Sequence, residues 1–211
     1  ATDVVASLLR LGADPNVSAA GGTTPLMGGV VARNPVAVQA LILCAGENLN
    51  LEAGSELNNA TALGLAAYMR DDETVRVLLE AGCSVSRVND HGGSSLAACC
   101  SNVSADHRML RMIVTRAREL DVHLDVNGRM RSRTVKWQCI DWVFQGAVRL
   151  GLSKSHFALD IAHDQGGTAM HQAARNGNAR QVQFLLDNGG AESLHVKNAM
   201  GHTPLSCARL F

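Results

Sequence analysis

The sequence is poor in aromatic residues, carries no net charge and contains no long apolar run. Phe, Trp and Tyr make up 3% of the 211 residues and apolar residues 46%, so the core must be built from Ala, Val, Leu, Ile and Met. Side chains of this size favour helices packed closely in layers. A formal net charge of zero excludes an overall attraction to nucleic acid or membrane surfaces. No apolar run reaches the roughly 18 residues that cross a bilayer, and residues 1–11 do not resemble a signal peptide.

The motifs of common enzyme classes are also missing. The chain has no Gly-x-Ser-x-Gly, no phosphate loop of the Gly-x4-Gly-Lys type and no His-Glu-x-x-His. The segment 91–94, His-Gly-Gly-Ser, superficially resembles an oxyanion-hole loop, but its place in the repeat described below is that of the loop before a helix. The sequence therefore predicts a protein that is not an enzyme and binds no cofactor.

Cysteine usage bears on location and on metal binding. The six cysteines are Cys44, Cys83, Cys99, Cys100, Cys139 and Cys207. Four of them fall where the repeat pattern requires a buried small residue or a core position of a helix. This indicates reduced thiols in a cytoplasmic protein, with the nucleus as an alternative, and not a disulfide framework. Cys99 and Cys100 follow Cys83 and His91 without paired Cys-x-x-Cys spacing, so we expect no metal site.

What the chain does contain is a repeated motif. Thr24-Pro25-Leu26 near the start recurs as Thr203-Pro204-Leu205 near the end. Copies of the motif begin at Thr24, Thr61, Ser94, Thr134, Thr168 and Thr203. The intervals between them are 37, 33, 40, 34 and 35 residues. A period in this range is typical of repeat proteins, in which each unit buries its apolar face on the next.

Each copy has the pattern of a helix–turn–helix–loop unit. Thr24 can cap a helix, and Pro25 suits the first helical position, where its missing N–H costs nothing. Asn34 and Pro35 repeat this pattern for a second helix, which Gly46 ends. Residues 1–21 have the pattern of the end of such a unit.

These residues resemble the ankyrin repeat family, whose units carry Thr-Pro-Leu-His-x-Ala; the closest copy is Thr-Ala-Met-His at 168–171. The resemblance implies an all-α solenoid of stacked helix–turn–helix units joined by hairpin-like loops, with one degenerate stretch near 121–167. It predicts a single array over 1–211 that consists of a partial repeat 1–21, repeats near 22–58, 59–91, 92–131, 132–165 and 166–200, and a partial repeat 201–211. Because both ends break a repeat, we expect the native chain to be longer.

Within the degenerate stretch, Thr134 is expected to open a helix with Trp137, at the inward His position, as a structural residue. A poor second helix is expected over 147–155, and a loop over 159–167. In the preceding repeat, a long second helix is expected over 104–120. The family's His survives only as His171, which predicts uneven stability along the stack.

The resemblance also implies a protein-interaction module, whose partner contacts come from loop tips and from two positions after the motif on the concave face. The loop-tip candidates are Leu57, Asn58, Asp90, His91, Met130, Arg131, Arg133, Asp164 and Gln165. The candidates after the motif are Tyr68, Met69, Ser101, Asn102, Asp141, Trp142, Arg175 and Asn176. Trp142 is the preferred anchor, with filling of a gap in the core as the alternative. A non-catalytic regulatory or targeting domain of a larger enzyme is the alternative function.

Charge is distributed unevenly along the chain. Residues 47–80 contain seven acids and two bases, a net of −5, whereas residues 108–136 contain eight bases and three acids, a net of +5. The basic segment predicts a docking surface for a partner protein with an acidic segment, or simply a solvated helix face and loop. The chain is expected to be a monomer. The acidic segment argues against a continuous track for nucleic acid. A membrane partner is not expected either.

One modification hypothesis follows from the resemblance. Loop asparagines of the family can be hydroxylated, and Asn16 in Gly-Ala-Asp-Pro-Asn fits such a loop. The Asn-x-Ser/Thr matches at Asn16, Asn59 and Asn102 are expected to be inert as glycosylation sites in a cytoplasmic chain.

Overall fold

The computed structural model describes residues 2–101, 107–153 and 155–210, and this part of the chain is helical, without a β-strand. The predicted all-α class is confirmed. The α-helices are α1 (Thr2–Arg10), α2 (Pro25–Val31), α3 (Pro35–Ala45), α4 (Ala62–Met69), α5 (Asp72–Glu80), α6 (Ser95–Cys100), α7 (Arg108–Glu119), α8 (Val135–Arg149), α9 (His156–Asp164), α10 (Ala169–Arg175), α11 (Ala179–Asp187) and α12 (Pro204–Leu210). Two 3-10 turns lie at Gly46–Asn48 and Gly190–His195.

Short polar side chains begin these helices where the sequence predicts. The Thr24 hydroxyl accepts from the Met27 N–H, and Asn34 caps α3 in the same way. At Thr168 the cap is reciprocal, because His171 Nδ1 also accepts from the Thr168 N–H at 3.1 Å. Each cap satisfies an N–H group that a helix terminus leaves without an intrahelical partner.

The helices stack in two rows. α2, α4, α6, α10 and α12 contact one another in that order, and α1, α3, α5 and α7 form the second row. In four of the five stacked motifs the third residue fills the core between layers; in the last, at α12, it is Leu205, which is 63% exposed. The four buried residues, each at most 1% exposed, are Leu26, Leu63, Leu96 and Met170. Burial of such side chains supplies most of the stability of a repeat array.

Hairpin turns with a common hydrogen-bond pattern link successive layers. The Asn89 N–H donates to the Gly93 carbonyl, and the Asn198 N–H donates to the His202 carbonyl, so each turn closes after four residues. In the turn between α7 and α10, the Met130 N–H donates to the Gly167 carbonyl at 2.8 Å. That turn closes after 37 residues, and the 33 additional residues contain α8 and α9.

The predicted repeat at 132–165 is therefore wrong, because this segment is an inserted pair of helices at a loop tip. α8 packs mainly on α9, and α6 contacts α10 directly across the insertion. Thr134 does cap α8, but the residue at the core position of this motif is Lys136, which is exposed. A charged side chain cannot fill the space that leucine fills in the other layers.

The predicted elements inside the insertion also need correction. α8 runs without a break through Arg149, so a separate helix over 147–155 does not form. The reversal comes at Gly151, whose φ of +70° suits glycine. Ser155 then caps α9 where a loop was expected, by accepting from the Ala158 N–H.

Two sequence predictions fall partly outside the described residues. Asn102, a candidate contact residue, lies outside them. So do residues 104–106, the predicted start of the long second helix of that repeat. The described part of that helix is α7, Arg108–Glu119, which agrees with the predicted C-terminal boundary near residue 120.

A candidate protein-binding cleft

The inserted helices lie against the loop tips of the second and third layers. Lys136 Nζ and Trp137 Nε1 both donate to the Leu57 carbonyl, at 3.1 and 3.3 Å. The Arg133 N–H donates to the Asp90 carbonyl at 2.7 Å. The first turn of α8 therefore occupies loop tips where the sequence predicts partner contacts.

This arrangement encloses a cleft, which we call the hairpin cleft, between α4 and α6 on one side and α8–α9 on the other. Its volume is about 330 Å³. Large or charged side chains that line it include Leu65, Tyr68, Arg87, His91, Met130, Trp137, Asp160, Ile161, Asp164 and Arg175. Clefts of this size with an apolar lining and a few placed polar groups are typical of binding sites.

Two aromatic side chains face the hairpin cleft. Tyr68 lies in the last turn of α4 and is 58% exposed, although Ala66 and Ala67 beside it are fully buried. Trp137 is half-buried, and its ring lies 5.4 Å from that of His91. Rings of this kind offer contact area together with a polar group.

A buried polar network around Asp141 holds the middle of α8 in place. The Asp141 carboxylate accepts hydrogen bonds from Ser132 Oγ and from Gln165 Nε2, and His91 Nδ1 lies 3.5 Å from its other oxygen. Burial raises the pKa of the Asp141 carboxyl above its ordinary value, and the hydrogen bond from Ser132 and the nearby His91 offset part of that rise. The network joins the third-layer loop to both ends of the insertion.

A second charged group ties α9 to α10. The Arg175 guanidinium lies 3.3 Å from Asp164 and 3.2 Å from Asp160, and Gln172 Nε2 also donates to the Asp164 carboxylate. Burial raises the pKa of the Asp164 carboxyl, and the charge of Arg175 opposes that rise. Asp160 is half exposed and lines the cleft, where its carboxylate is paired with Arg175.

The structure separates the predicted contact residues into three sets. The exposed ones are Tyr68, Arg131, Arg133 and Trp142. The half-buried ones are Met69, Asp90, His91, Asp164, Gln165, Arg175 and Asn176. Of the other candidates named from the sequence, Asn58 and Ser101 are half-buried and Leu57 is exposed. Met130 and Asp141 are each 3% exposed.

For these two buried residues the expected surface position is wrong. Met130 lies at the base of the insertion, where its backbone pairs with Gly166 and Gly167 and its side chain joins the core. Asp141 lies within α8 and not at the end of a stacked first helix, and it faces Ser132 and Gln165. Both residues support the cleft from within the fold.

The structure brings Tyr68, His91, Asp164 and Arg175 together around the hairpin cleft, and it places Trp142 elsewhere. Trp142 is 78% exposed, so it does not fill a gap in the core. Sequence reasoning missed Trp137 as a cleft residue. The signal that could have found it is Lys136, because a charged residue at the core position shows that α8 is not a stacked helix.

The cysteines divide by location. Cys83, Cys99, Cys100 and Cys207 are buried, and Cys139 is exposed on α8. Burial raises the pKa of the Cys83 thiol and of the Cys99 thiol to about 12, and it raises that of Cys100 well above its ordinary value. These thiols therefore stay protonated at neutral pH.

Among the residues that the structure describes, no three His, Cys, Asp or Glu side chains lie in an arrangement that could share a metal ion. No helix in this described part of the chain is long and apolar enough to cross a bilayer.

Two family models match the sequence. A model of three ankyrin repeats matches residues 1–89, and a model of a single ankyrin repeat matches residues 165–199. The chain belongs to the ankyrin repeat family. Residues 90–164, which lie outside both matches, include the inserted helices. Ankyrin repeats are generally protein–protein interaction modules, and their fold is typically a non-catalytic scaffold.

Two similar proteins are much longer than this chain. A mitochondrial disaggregase of Bos taurus is 32% identical over 149 residues, which are 71% of this chain and 16% of that protein. The human ankyrin repeat and SOCS box protein 16 is 27% identical over 208 residues, which are 98% of this chain and 37% of that protein. The chain thus spans well under half of either relative.

A solved structure confirms the fold. The ankyrin repeat domain of Bcl-3 is 25% identical, with a TM-score of 0.68, and the match covers 99% of this chain and 73% of that chain. The predicted ankyrin solenoid is confirmed by this likeness and by the absence of strands from the described residues.

Proposed function

We propose that the chain is a protein-interaction module that holds an extended segment of a partner protein in the hairpin cleft. The observation that carries the proposal is the exposed Tyr68 ring, which together with Trp137 lines a cleft of about 330 Å³. Tyrosine and tryptophan dominate the energy of many interfaces. A partner side chain placed between these rings would bury apolar area on both.

The chemistry around the cleft favours a partner that combines an apolar anchor with acidic residues. Arg131 and Arg133 are exposed on the loop before α8, and the backbone of Arg133 pairs with the Asp90 loop tip. A carboxylate on the partner would be attracted to this loop. The remaining basic side chains of residues 108–136 contribute less, since Arg116 already pairs with Glu119 and Arg129 donates to two backbone carbonyls.

Peptide selection tests this function. We expect peptides selected on the purified chain from a random display library to combine an aromatic or large aliphatic residue with acidic neighbours. Tyr68→Ser should weaken them at least tenfold, as expected for an interface anchor. Leu43→Ser is the matched control, because Leu43 is also largely exposed, lies on α3 outside the cleft lining, and its substitution should leave binding unchanged. Equal binding to both variants would contradict the proposal.

The second candidate function is a regulatory or targeting domain of a larger enzyme. It is supported by the likeness to a protein named as a disaggregase, of which the chain spans 16%. An immunoblot of the native protein would test it, with an expected mass well above the 22.3 kDa of this chain. A native band at that mass would contradict it. The monomeric state and the cytoplasmic or nuclear location stay predictions.

A further inference from the structure

Helix α8 has an exposed apolar face that points away from the hairpin cleft. Val135, Trp142 and Leu150, the residue after the last turn, are each more than 70% exposed, and Val143 is 56% exposed. At 100° per residue these four positions fall within an arc of about 100° on the helix surface. Cys139 and Gly146 fall within the same arc, and the six residues together form what we call the α8 outer face.

The opposite side of α8 is already occupied. Trp137 lines the cleft, and Asp141 bonds to Ser132 and Gln165. A surface helix of a globular protein normally has a single apolar stripe, which faces its own core. α8 carries a second stripe in contact with solvent, and contiguous apolar patches of this kind mark interaction sites.

The charges beside the α8 outer face have one sign. Lys136 and Arg149 lie near its two edges and are exposed. Each donates to a backbone carbonyl, of Leu57 and of Ala199 respectively. The one acid between residues 129 and 149 is Asp141, which is buried.

We infer that the α8 outer face binds an amphipathic helix of a partner protein whose apolar stripe is flanked by Asp or Glu. The face extends over 15 residue steps, or about 22 Å, which matches a partner helix of about four turns. A Cβ added to Gly146 would meet no atom within 4 Å, so a partner side chain has open space at the centre of the face. Acids on both flanks would meet Lys136 and Arg149, as flanking charges do in paired helices.

Charge also argues against a second copy of this chain as the occupant. If two α8 outer faces paired, each copy would bring only the cations Lys136 and Arg149 to the edges of the seam, and α8 has no exposed acid to pair with them. Like charges across such a seam disfavour pairing. The charge pattern therefore selects an acidic partner helix.

The test uses a designed peptide as the probe. It is an 18-residue helical peptide with Leu at the seam positions and Glu at the flanks, and its matched control has Lys in place of Glu. In a Trp137→Phe background, Trp142 is the single tryptophan, so its burial should shift its emission to shorter wavelength on adding the Glu peptide. The Lys peptide should bind at least tenfold more weakly.

Variants then locate the contact. Titration calorimetry measures binding here, because Trp142→Ser removes the emission signal. Trp142→Ser combined with Leu150→Ser should weaken the Glu peptide at least thirtyfold, whereas Tyr68→Ser, in the hairpin cleft, should leave it unchanged. Reversing Lys136 and Arg149 to Glu should transfer the preference to the Lys peptide. Circular dichroism checks that each variant keeps the helical content of the parent.

Three outcomes would overturn the inference. They are equal binding of both peptides, binding that survives Trp142→Ser with Leu150→Ser, and sedimentation as a dimer that these substitutions dissociate. Tyr68→Ser should affect binding in the hairpin cleft and not binding at the α8 outer face. If the inference about the α8 outer face fails, the proposed function of the hairpin cleft is therefore still decided by the peptide selection described above.

Discussion

The copies of the motif at Thr61 and at Thr134 begin alike and end in different environments. Each threonine hydroxyl accepts from the N–H three residues later, in Gly64 and in Trp137. Yet α4 is a layer of the stack, whereas α8 lies outside it with exposed apolar residues. The comparison teaches that a cap determines where a helix begins, while the residue two positions later determines whether that helix can enter the stack.

The largest expected contrast between the two regions is in cysteine reactivity. Cys99 and Cys100 lie in the stack and are buried, whereas Cys139 on α8 is exposed. We expect alkylation at pH 8 to modify Cys139 on the order of a thousandfold faster, because reaction of the buried pair requires opening of the stack by roughly 4 kcal/mol or more. Mass spectrometry of partly labelled protein measures both rates. If Cys99 and Cys100 reacted as fast as Cys139, the stack would open too readily to protect its buried cysteines.

The next contrast is between the two core positions of the motif. Leu63→Ala should lower the free energy of unfolding by about 3 kcal/mol, because it leaves a cavity between layers. Lys136→Ala should change it by less than about 0.5 kcal/mol, since that side chain is at the surface. Urea titrations followed by circular dichroism compare the two. A large effect of Lys136→Ala would restore the Thr134 copy as a layer.

The link between the insertion and the stack can be broken at Arg175. Arg175→Met leaves Asp164 buried without its cation and should cost about 2 kcal/mol, less than a fully buried pair because Asp160 is half exposed. Hydrogen exchange should show the loss mainly in α9. Adding Asp164→Asn should recover part of the stability, because the unpaired charge is removed.

The matched control for that experiment is Arg180→Met. Arg180 is an exposed arginine at the start of α11, and its substitution should leave both the stability and the exchange rates of α9 unchanged. If both substitutions have the same effect, the Arg175 ion pairs do not hold the insertion in place.

The smallest expected effect concerns pH. Burial lowers the pKa of the His163 and His171 rings, so the native state favours their neutral forms. The unfolded chain binds protons near the ordinary value of 6.5, and stability should therefore fall as the pH drops through about 6.5 toward the lowered native values. His171→Gln should reduce this dependence, by at most about 1.4 kcal/mol between pH 7.5 and 5.5, which is the limit for one histidine. Urea titrations at several pH values measure it.

The two buried carboxyls act in the opposite direction and provide the internal check. Their raised pKa values mean that the native state takes up protons more readily than the unfolded chain, so stability is gained as the pH falls toward their ordinary 3.8. Asp141→Asn should remove part of that gain. If His171→Gln and Asp141→Asn both left the pH dependence of stability unchanged, neither side chain would change its protonation on unfolding.

Much of the fold followed from residues close together in sequence. Thr24-Pro25 and Asn34-Pro35 fix the starts of α2 and α3, because a capping side chain bonds to N–H groups only three residues away. The same reasoning located Tyr68 beside the Ala66-Ala67 pair and predicted its exposure. It failed within the insertion, where 33 additional residues match one repeat period so closely that the spacing of the motifs conceals the interruption.

The sequence alone thus determined the repeated helix pairs, their caps and the small-residue core of the stack, since these depend on local bonding and periodicity. Tertiary structure decided that α6 packs on α10, that α8 lies over the loop tips, and that Trp137 and Trp142 belong to separate surfaces. The physical reason is that packing depends on contacts between residues far apart in sequence, which local patterns do not specify. An exposed Lys136 costs nothing in solvent, whereas between layers it would leave a charge in the space of a leucine.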